Sequence, residues 1–128
     1  MSEPIVYVDC SEVREGKLQE LKAAVKGLAD FVEAHEPQII AYNVYFTEDG
    51  AQMSIVHMHR DSDSLAFHMR VAGPEFPKFG AFLKLLSIDL YGQPSSELVE
   101  TMRQKARMLG TGTVVVHPHH AGFARFAP

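Results

Sequence analysis

Hydrophobic residues recur at helical spacing in one part of the chain and alternate with polar residues in others. The clearest helical stripe has spacings of three and four and consists of Leu18, Leu21, Val25, Leu28 and Val32. This pattern predicts a helix over roughly 17–35, which Pro37 stops. The preceding residues 5–8 are β-branched or aromatic, and they predict a first strand.

Two strand-like segments, 39–47 and 52–60, flank the tetrapeptide 48–51. Its Asp49-Gly50 pair predicts a two-residue type I′ hairpin turn, which requires positive φ at both positions. The resulting register places Tyr42 opposite His57. Because alternate strand residues point the same way, one sheet face carries eight predicted side chains: Ile40, Tyr42, Val44, Phe46, Met53, Ile55, His57 and His59.

A second helix is predicted to begin at Asp61 or Ser62 and to run to about Ala72, with His68 beside its apolar residues. An aromatic cluster follows at helical spacing, formed by Phe76, Phe79 and Phe82. Residues 85–91 then alternate as a strand, with one side predicted to consist of Leu86, Ile88 and Leu90. The element order is βαββαβ, which predicts an α+β, ferredoxin-like core over about 4–92.

The remaining residues, about 93–128, form a C-terminal extension. Ser95 can cap a helix that ends at Gly110, and its apolar stripe is Leu98, Met102, Ala106 and Leu109. Residues 113–117 predict one more strand. Since the extension is apolar, we expect it to dock on the core, so that residues 1–128 form a single domain.

Composition narrows the class of protein. The chain has 128 residues, of which 46% are hydrophobic and 22% are charged, as expected for one globular domain. No apolar run is long enough to cross a bilayer, so no membrane partner is expected. Neither a secretion signal nor a second cysteine beside Cys10 is apparent, which predicts a cytoplasmic protein.

The charge is distributed unevenly along the chain. Residues 101–128 contain no acidic side chain and four basic ones: Arg103, Lys105, Arg107 and Arg125. These four are spread over a helix and a tail, whereas phosphate binding needs a concentrated basic face. We therefore predict no nucleic-acid partner and expect the basic tail to contact the acidic front half, within or between subunits.

The candidate chemistry is concentrated in three histidines. His57 and His59 project from one strand face, His68 on the next helix can close over them, and Tyr42 lies opposite His57. Three interpretations remain open. The histidines are buried, hydrogen-bonded and inert, or they form a polar pocket that binds or activates a small molecule, or they hold a catalytic metal ion.

Aromatic and sulphur-containing side chains offer an apolar lining for such a pocket, with Phe67 and Phe79 among them. We therefore expect a small apolar or aromatic ligand. The tract His117-Pro118-His119-His120 is interpreted as a surface or interface segment. Neither a Gly-rich phosphate loop nor a serine-hydrolase elbow is present, and no cofactor is predicted.

Two segments resemble the dimeric α+β barrel superfamily, in particular the antibiotic biosynthesis monooxygenase-like proteins. The first is the strand–turn–helix segment 57–68, which begins His-Met-His-Arg and ends in His68. The second is Asp89-Leu90-Tyr91-Gly92 at the end of the last core strand. The resemblance covers about Ile5 to Gly92, and the extension lies beyond it.

The resemblance implies a homodimer in which two four-stranded sheets pack face to face, with a pocket between each sheet and its helices. Members of the family include cofactor-independent oxygenases of quinol-like aromatics, haem-degrading enzymes and proteins without known activity. In this chain His57 and His59 stand where the family commonly has a carboxylate and an aromatic residue. The chain also lacks the tryptophan on which haem-degrading members rely, which disfavours that mechanism.

The sequence thus predicts a small-molecule-binding protein that oxygenates a phenolic or quinol-like aromatic compound without a cofactor. His57 and His68 are the predicted catalytic residues. The predicted substrate-binding residues are Tyr42, His59, Phe67 and Phe79. The alternative is a ligand-binding or interaction protein without enzymatic activity.

Overall fold

A computed structural model describes residues 3–125. The strands are β1 (Ile5–Val13), β2 (Ala41–Phe46), β3 (Gln52–His59), β4 (Leu83–Tyr91) and β5 (Gly110–His117). The helices are α1 (Leu18–His35), α2 (Ser62–Ala72) and α3 (Ser96–Leu109). Two short 3₁₀ turns, Gly73–Glu75 and Pro77–Ala81, connect α2 to β4.

The strands form one sheet in the order β2-β3-β1-β4-β5. The first four are antiparallel to their neighbours, and β5 adds to the outer edge of β4 in parallel. This is the ferredoxin-like α+β plan that the element order predicts, with the extension adding a third helix and a fifth strand.

The core lies between one sheet face, the inner face, and the three helices. Alternate residues of β1 and β3 are buried there, and the helices contribute the stripes that the spacing predicts. In α1 the buried residues are Leu21, Val25, Leu28 and Val32. In α3 the stripe Leu98, Met102, Ala106 and Leu109 is buried as predicted, and Ser95 caps the helix by accepting a hydrogen bond from the Leu98 amide.

The hairpin register is confirmed, but the predicted turn is wrong. Tyr42 pairs with His57 and Phe46 pairs with Met53. Gly50 has φ +73°, whereas no non-glycine residue in the described part of the chain has positive φ. The Gly50 amide donates to the Thr47 carbonyl, so the loop spans 48–51 rather than two residues. A four-residue loop with the same centre preserves the register.

One face assignment in β4 is also wrong. Leu83 and Leu85 are buried, Leu86 is half-buried, and Ile88 and Leu90 are buried. On β1, Cys10 pairs with Ser87 while the next residue pairs with Leu85, so Leu86 is the extra residue of a bulge. The bulge inverts the alternation at one point, which uniform period-two spacing does not anticipate.

The extension docks through α3 and β5, as expected. The expected docking is wrong for residues 118–125, which follow β5 and are exposed, and Phe123 has 78% of its surface accessible. The predicted docking of residues 126–128 lies outside the described residues. Within the described part of the chain, no helix combines the length and the apolar character that a membrane span requires.

Candidate functional site

Three aromatic rings lie side by side across the inner face of the sheet. His57 on β3 pairs with Tyr7 on β1 and with Tyr42 on β2. Its ring stacks on both, with centroid distances of 4.1 Å to Tyr7 and 5.1 Å to Tyr42. Because the two neighbouring strands hold these rings, the orientation of the His57 imidazole is fixed by packing on both sides.

The second imidazole of β3 continues from His57 toward the beginning of α2. His57 Nδ1 lies 2.6 Å from His59 Nε2, and His59 Nδ1 lies 2.7 Å from Ser64 Oγ. Asp61 accepts a hydrogen bond from the Ser64 amide and thereby caps α2. We call His57, His59 and Ser64 the histidine relay.

His68 is held by a different partner. Its Nδ1 lies 2.9 Å and 3.0 Å from the two carboxylate oxygens of Glu36, which follows the last turn of α1. Glu36 also accepts from the Gln38 amide at 3.4 Å. The His68 ring meets the edge of His57 at a centroid distance of 4.8 Å. His68 therefore packs against the His57 ring, and the buried Glu36 carboxylate holds His68 in position.

On the other side of Tyr7 lies a buried group that we call the lysine network, formed by Tyr7, Asp9 and Lys105. Lys105 Nζ donates to the Tyr7 hydroxyl at 2.7 Å, and that hydroxyl donates to Asp9 Oδ2 at 2.6 Å. Lys105 Nζ lies 3.9 Å from Asp9 Oδ2 and 4.3 Å from the centroid of the Phe76 ring. Asp9 Oδ1 accepts from the Ile55 amide at 3.3 Å.

Burial is the main cause of the pKa shifts at the site, because it penalises the charged form of each group. It lowers the pKa of His57 and His68, and it lowers the pKa of His59 to about 3. For His68, the hydrogen bond to Glu36 opposes this effect. The three imidazoles are consequently neutral near pH 7.

The same cause acts on the lysine network, where opposite charges partly compensate it. Burial raises the pKa of Tyr7 and of Asp9, and it lowers the pKa of Lys105. The Lys105 ammonium counteracts the rise at Asp9, and the Asp9 carboxylate counteracts the fall at Lys105. Burial also raises the pKa of Tyr42, so both tyrosines keep their hydroxyl protons.

A small cavity of about 30 Å³, which is room for one or two water molecules, lies between the inner face and the helices. Its polar lining includes Asp9, Tyr42, His57 and Lys105. Most of its wall is apolar and comes from Leu28, Met53, Ile55, Phe76, Phe79, Leu83, Leu85 and Leu109. The lining, mainly apolar with a few convergent polar groups, has the composition of a small-molecule site, but at this volume an aromatic ligand enters only if the wall residues move apart.

The structure brings together most of the residues predicted for the site. Tyr42, His57 and Phe79 line the cavity. His59 and His68 contact His57 but are not among the lining residues, so they form a layer behind it. Phe67 is 37% exposed on α2 and lies 5.7 Å from the Arg70 guanidinium. The structure therefore does not bring Phe67 to the cavity.

The geometry also bears on the metal interpretation. The imidazole nitrogens of His57 and His59 face each other at 2.6 Å, and His68 Nδ1 faces Glu36. These directions do not converge on one point. Among residues 3–125 no group of three histidine, cysteine or acidic residues has a geometry that could hold a metal ion.

The lysine network was not predicted, although the sequence contains signals for it. Asp9 follows Ile5 and Tyr7 at period two in β1, which directs it to the inner face. Lys105 lies three residues after Met102 and four before Leu109, within the apolar stripe of α3. The ion pair between Lys105 and Asp9 is a contact of the basic tail with the acidic front half, as expected.

Glu36 and Ser64 were also not predicted. Each lies next to a helix end, where a polar residue is ordinarily interpreted as a surface or capping residue. Their roles depend on how α1 and α2 pack against β3, which local spacing does not reveal.

The chain has a ferredoxin-like α+β fold, which it shares with many solved structures. The crystal structure of MupZ from Pseudomonas fluorescens matches with a TM-score of 0.74 at 14% identity, over 97% of this chain and 96% of MupZ. SnoaB from Streptomyces nogalater, described as a cofactor-independent oxygenase, matches with a TM-score of 0.61 at 15% identity, over 74% of this chain and 97% of SnoaB.

PA3566 from Pseudomonas aeruginosa matches with a TM-score of 0.63 at 18% identity, over 74% of this chain and 98% of PA3566. At these identities the likeness shows the fold alone. The match to MupZ covers nearly the whole chain and so includes the extension. The matches to SnoaB and PA3566 each cover about three quarters of the chain, which is the share that the core represents. No family model matches the chain, and no curated protein sequence does.

Proposed function

We propose that this protein is a homodimer of the antibiotic biosynthesis monooxygenase-like class that binds a phenolic or quinol-like aromatic compound and oxygenates it without a cofactor. The observation that carries the proposal is the position of His57 and Lys105 on the wall of one mainly apolar cavity. A neutral imidazole is a proton acceptor, and an ammonium group stabilises the anion that remains after the proton has left.

His57 is the proposed base. Its Nδ1 is engaged by His59, and the residue lines the cavity, so Nε2 is the ring nitrogen assigned to the substrate. The stacked rings of Tyr7 and Tyr42 hold the imidazole in place, so Nε2 is available to a hydroxyl group in the cavity. His68, held by Glu36, fixes His57 from behind and acts through its position.

Lys105 is the proposed partner of the substrate anion. It is 9% exposed, and its ammonium group has one hydrogen-bond acceptor within the described residues, the Tyr7 hydroxyl. An ammonium group has three N–H donors, and the Tyr7 hydroxyl accepts from one of them. The Phe76 ring and the more distant Asp9 carboxylate are weaker partners for the other two. A substrate oxygen in the cavity completes this set of contacts.

The proposed reaction balances without an external reductant. The substrate hydroxyl loses its proton to His57, and the para ring carbon of the resulting oxyanion, which must carry a hydrogen atom, donates an electron pair to dioxygen. The new C–O bond gives a hydroperoxide, protonated from His57. The C–H and O–O bonds at that carbon then break with loss of water, which leaves a carbonyl. One oxygen atom enters the quinone product and the other leaves as water, and the substrate supplies all the electrons.

The homodimer is proposed from the outer face of the sheet, which the described helices do not cover. This face carries apolar side chains in its centre, including Val8 and Val56, and exposed ones toward its edges, including Tyr45, Tyr91 and Val115. A second copy of the sheet is the cover that the resemblance implies.

The proposal is tested by incubating the purified protein with phenols whose para carbon carries a hydrogen atom, under ¹⁸O-labelled dioxygen. We expect oxygen consumption and one labelled carbonyl oxygen per product molecule. Replacing His57 with Gln removes the base and keeps a polar side chain of similar size, and we expect about a hundredfold loss of turnover. The Lys105→Met variant is expected to raise the apparent pKa of a bound chromophoric phenol such as 4-nitrophenol.

His35→Gln is the matched control, because His35 is exposed at the end of α1 and contacts neither the cavity nor the relay. Turnover that survives both His57→Gln and His68→Gln would contradict the assignment of the site. Saturable binding of the phenol without any oxygen consumption would instead support the alternative, a ligand-binding protein without catalysis.

A further inference from the structure

The histidine relay is a continuous hydrogen-bonded path from the cavity wall to the first turn of α2. Its two links measure 2.6 Å and 2.7 Å, which are short for bonds of this kind. His57 and His59 are 1% and 0% exposed, whereas Ser64, in the first turn of α2, is 7% exposed and is the least buried of the three.

We propose that His59 and Ser64 are positioning residues of a proton relay that carries the proton taken up by His57 from the cavity to solvent at the beginning of α2. The proposal rests on the proposed role of His57 as a base. It assigns to His59 a task other than substrate contact, in agreement with its position behind His57.

The step conserves atoms and charge. The substrate O–H bond breaks and a His57 Nε2–H bond forms, while the His57 Nδ1–H proton passes to His59 Nε2. The His59 Nδ1–H proton passes to Ser64 Oγ, and the original hydroxyl proton of Ser64 leaves to water. Both imidazoles remain neutral and exchange one tautomer for the other. The reverse sequence returns a proton to the cavity.

The relay solves an electrostatic difficulty of the site. An imidazolium at His57 would be buried beside Lys105, whose charge already disfavours it. A concerted change of tautomer moves one proton out without creating that cation, so a buried histidine of low basicity still serves as an acceptor. His68 cannot pass the proton from His57 to solvent, because its Nδ1 is bound to the Glu36 carboxylate.

The test uses free protein labelled with ¹⁵N-histidine, and NMR determines the tautomer of each ring. In the wild type we expect His57 and His59 both to be protonated at Nδ1, which leaves His57 Nε2 as the acceptor. Ser64→Ala removes the acceptor for the His59 Nδ1 proton, so we expect both rings to switch to the Nε2-protonated form together. Ser64→Thr keeps the hydroxyl group and is expected to restore the wild-type tautomers.

His68 is the internal control, because it is equally buried and is bound to Glu36 outside the relay. It is expected to keep its Nδ1 proton in every variant. If Ser64→Ala changes His59 alone, the two rings are not coupled and the relay is wrong. A wild-type His57 protonated at Nε2 would overturn it equally.

A second readout follows deprotonation of bound 4-nitrophenol in mixtures of H₂O and D₂O. Several protons moving together give a curved dependence of the rate on deuterium fraction in the wild type and a linear one in Ser64→Ala. A linear dependence in the wild type contradicts the relay. If 4-nitrophenol is not deprotonated at all, the proposed base is wrong, whereas the tautomers of the free protein still decide whether the relay exists.

Discussion

Lys105 and Tyr7 are 98 residues apart in the chain, yet the Lys105 ammonium nitrogen lies 2.7 Å from the Tyr7 hydroxyl oxygen. One residue belongs to the C-terminal extension and the other to the first strand of the core. The extension is therefore part of the cavity wall and supplies its one described lysine. A core of residues 4–92 alone would lack the ammonium group that balances the charge of Asp9.

The first prediction concerns this buried pair. Lys105→Met keeps the volume of the side chain and leaves Asp9 without its counter-charge, and we expect a loss of about 3 kcal/mol in the free energy of unfolding. Adding Asp9→Asn removes the uncompensated carboxylate, so the double variant is expected to be more stable than Lys105→Met alone. Urea unfolding of the two single variants and the double variant measures the coupling.

The matched control for this cycle is the exposed pair of Lys26 and Asp30, whose nitrogen and oxygen lie 3.0 Å apart. Lys26→Met is expected to change stability by less than about 1 kcal/mol, since exposed ion pairs contribute little. Equal effects of Lys26→Met and Lys105→Met would show that burial does not strengthen the Lys105 pair.

The hydrophobic pattern predicts most of the fold, because each helix and strand buries one regular face. The spacing in α1 and the pairing of Tyr42 with His57 are both recovered in the structure. The bulge at Leu86 is not predicted. The extra residue leaves β4 apolar and changes only which alternate residues face the core. Strand β5 is longer than predicted because Gly110 and Gly112 pair closely with β4, which their lack of side chains allows.

The candidate site is predicted less completely than the fold. His57, His59 and His68 are recognisable because three histidines in this pattern are unusual, and they do lie together. Residue type alone predicts Phe67 in the pocket, but the turn of α2 directs its side chain to the surface. Asp9 and Lys105 meet across distant elements, so their pairing requires the tertiary packing.

The second prediction is a loss of stability in mild acid. The buried histidines have lowered pKa values in the native state, about 3 for His59, against about 6.5 in the unfolded chain. The unfolded state therefore binds more protons below pH 6.5, and the free energy of unfolding falls as the pH decreases toward 3. His59 alone accounts for about 2 kcal/mol between pH 6.5 and 5.

Asp9 acts in the opposite direction, because its raised pKa lets the native state bind a proton before the unfolded state does. The measurement is urea unfolding at pH 7.5 and pH 5. His59→Gln is expected to have a smaller difference between the two pH values than the wild type. The exposed His119→Gln variant serves as control, and an identical difference in His59→Gln and wild type would contradict the prediction.

The third prediction concerns the proposed dimer. Val56 lies in the centre of the outer face, between Val8 on β1 and Asn43 on β2. We expect light scattering to give twice the chain mass of 14.2 kDa for the wild type and the single-chain mass for Val56→Glu. The control is Ala34→Glu, which adds the same charge on the exposed surface of α1. A monomeric wild type at micromolar concentration would contradict the face-to-face dimer.

The fourth prediction compares two glycines whose surroundings differ. A Cβ atom on Gly110 would overlap the Leu85 backbone, including the Leu85 nitrogen at 2.8 Å, because β5 begins in close contact with β4. The φ of Gly110 is 176°, which any residue adopts, so the obstacle is steric rather than conformational. A Cβ atom on Gly27 in α1 would meet nothing within 4 Å.

Gly110→Ala is therefore expected to destabilise the protein by about 2 kcal/mol, since the clash involves backbone atoms that cannot move without separating the two strands. Gly27→Ala is expected to stabilise it by about 1 kcal/mol through the higher helix propensity of alanine. Thermal unfolding of both variants measures the two effects. Because Lys105 lies on the helix that leads directly into Gly110, we also expect Gly110→Ala to weaken phenol binding while Gly27→Ala leaves it unchanged.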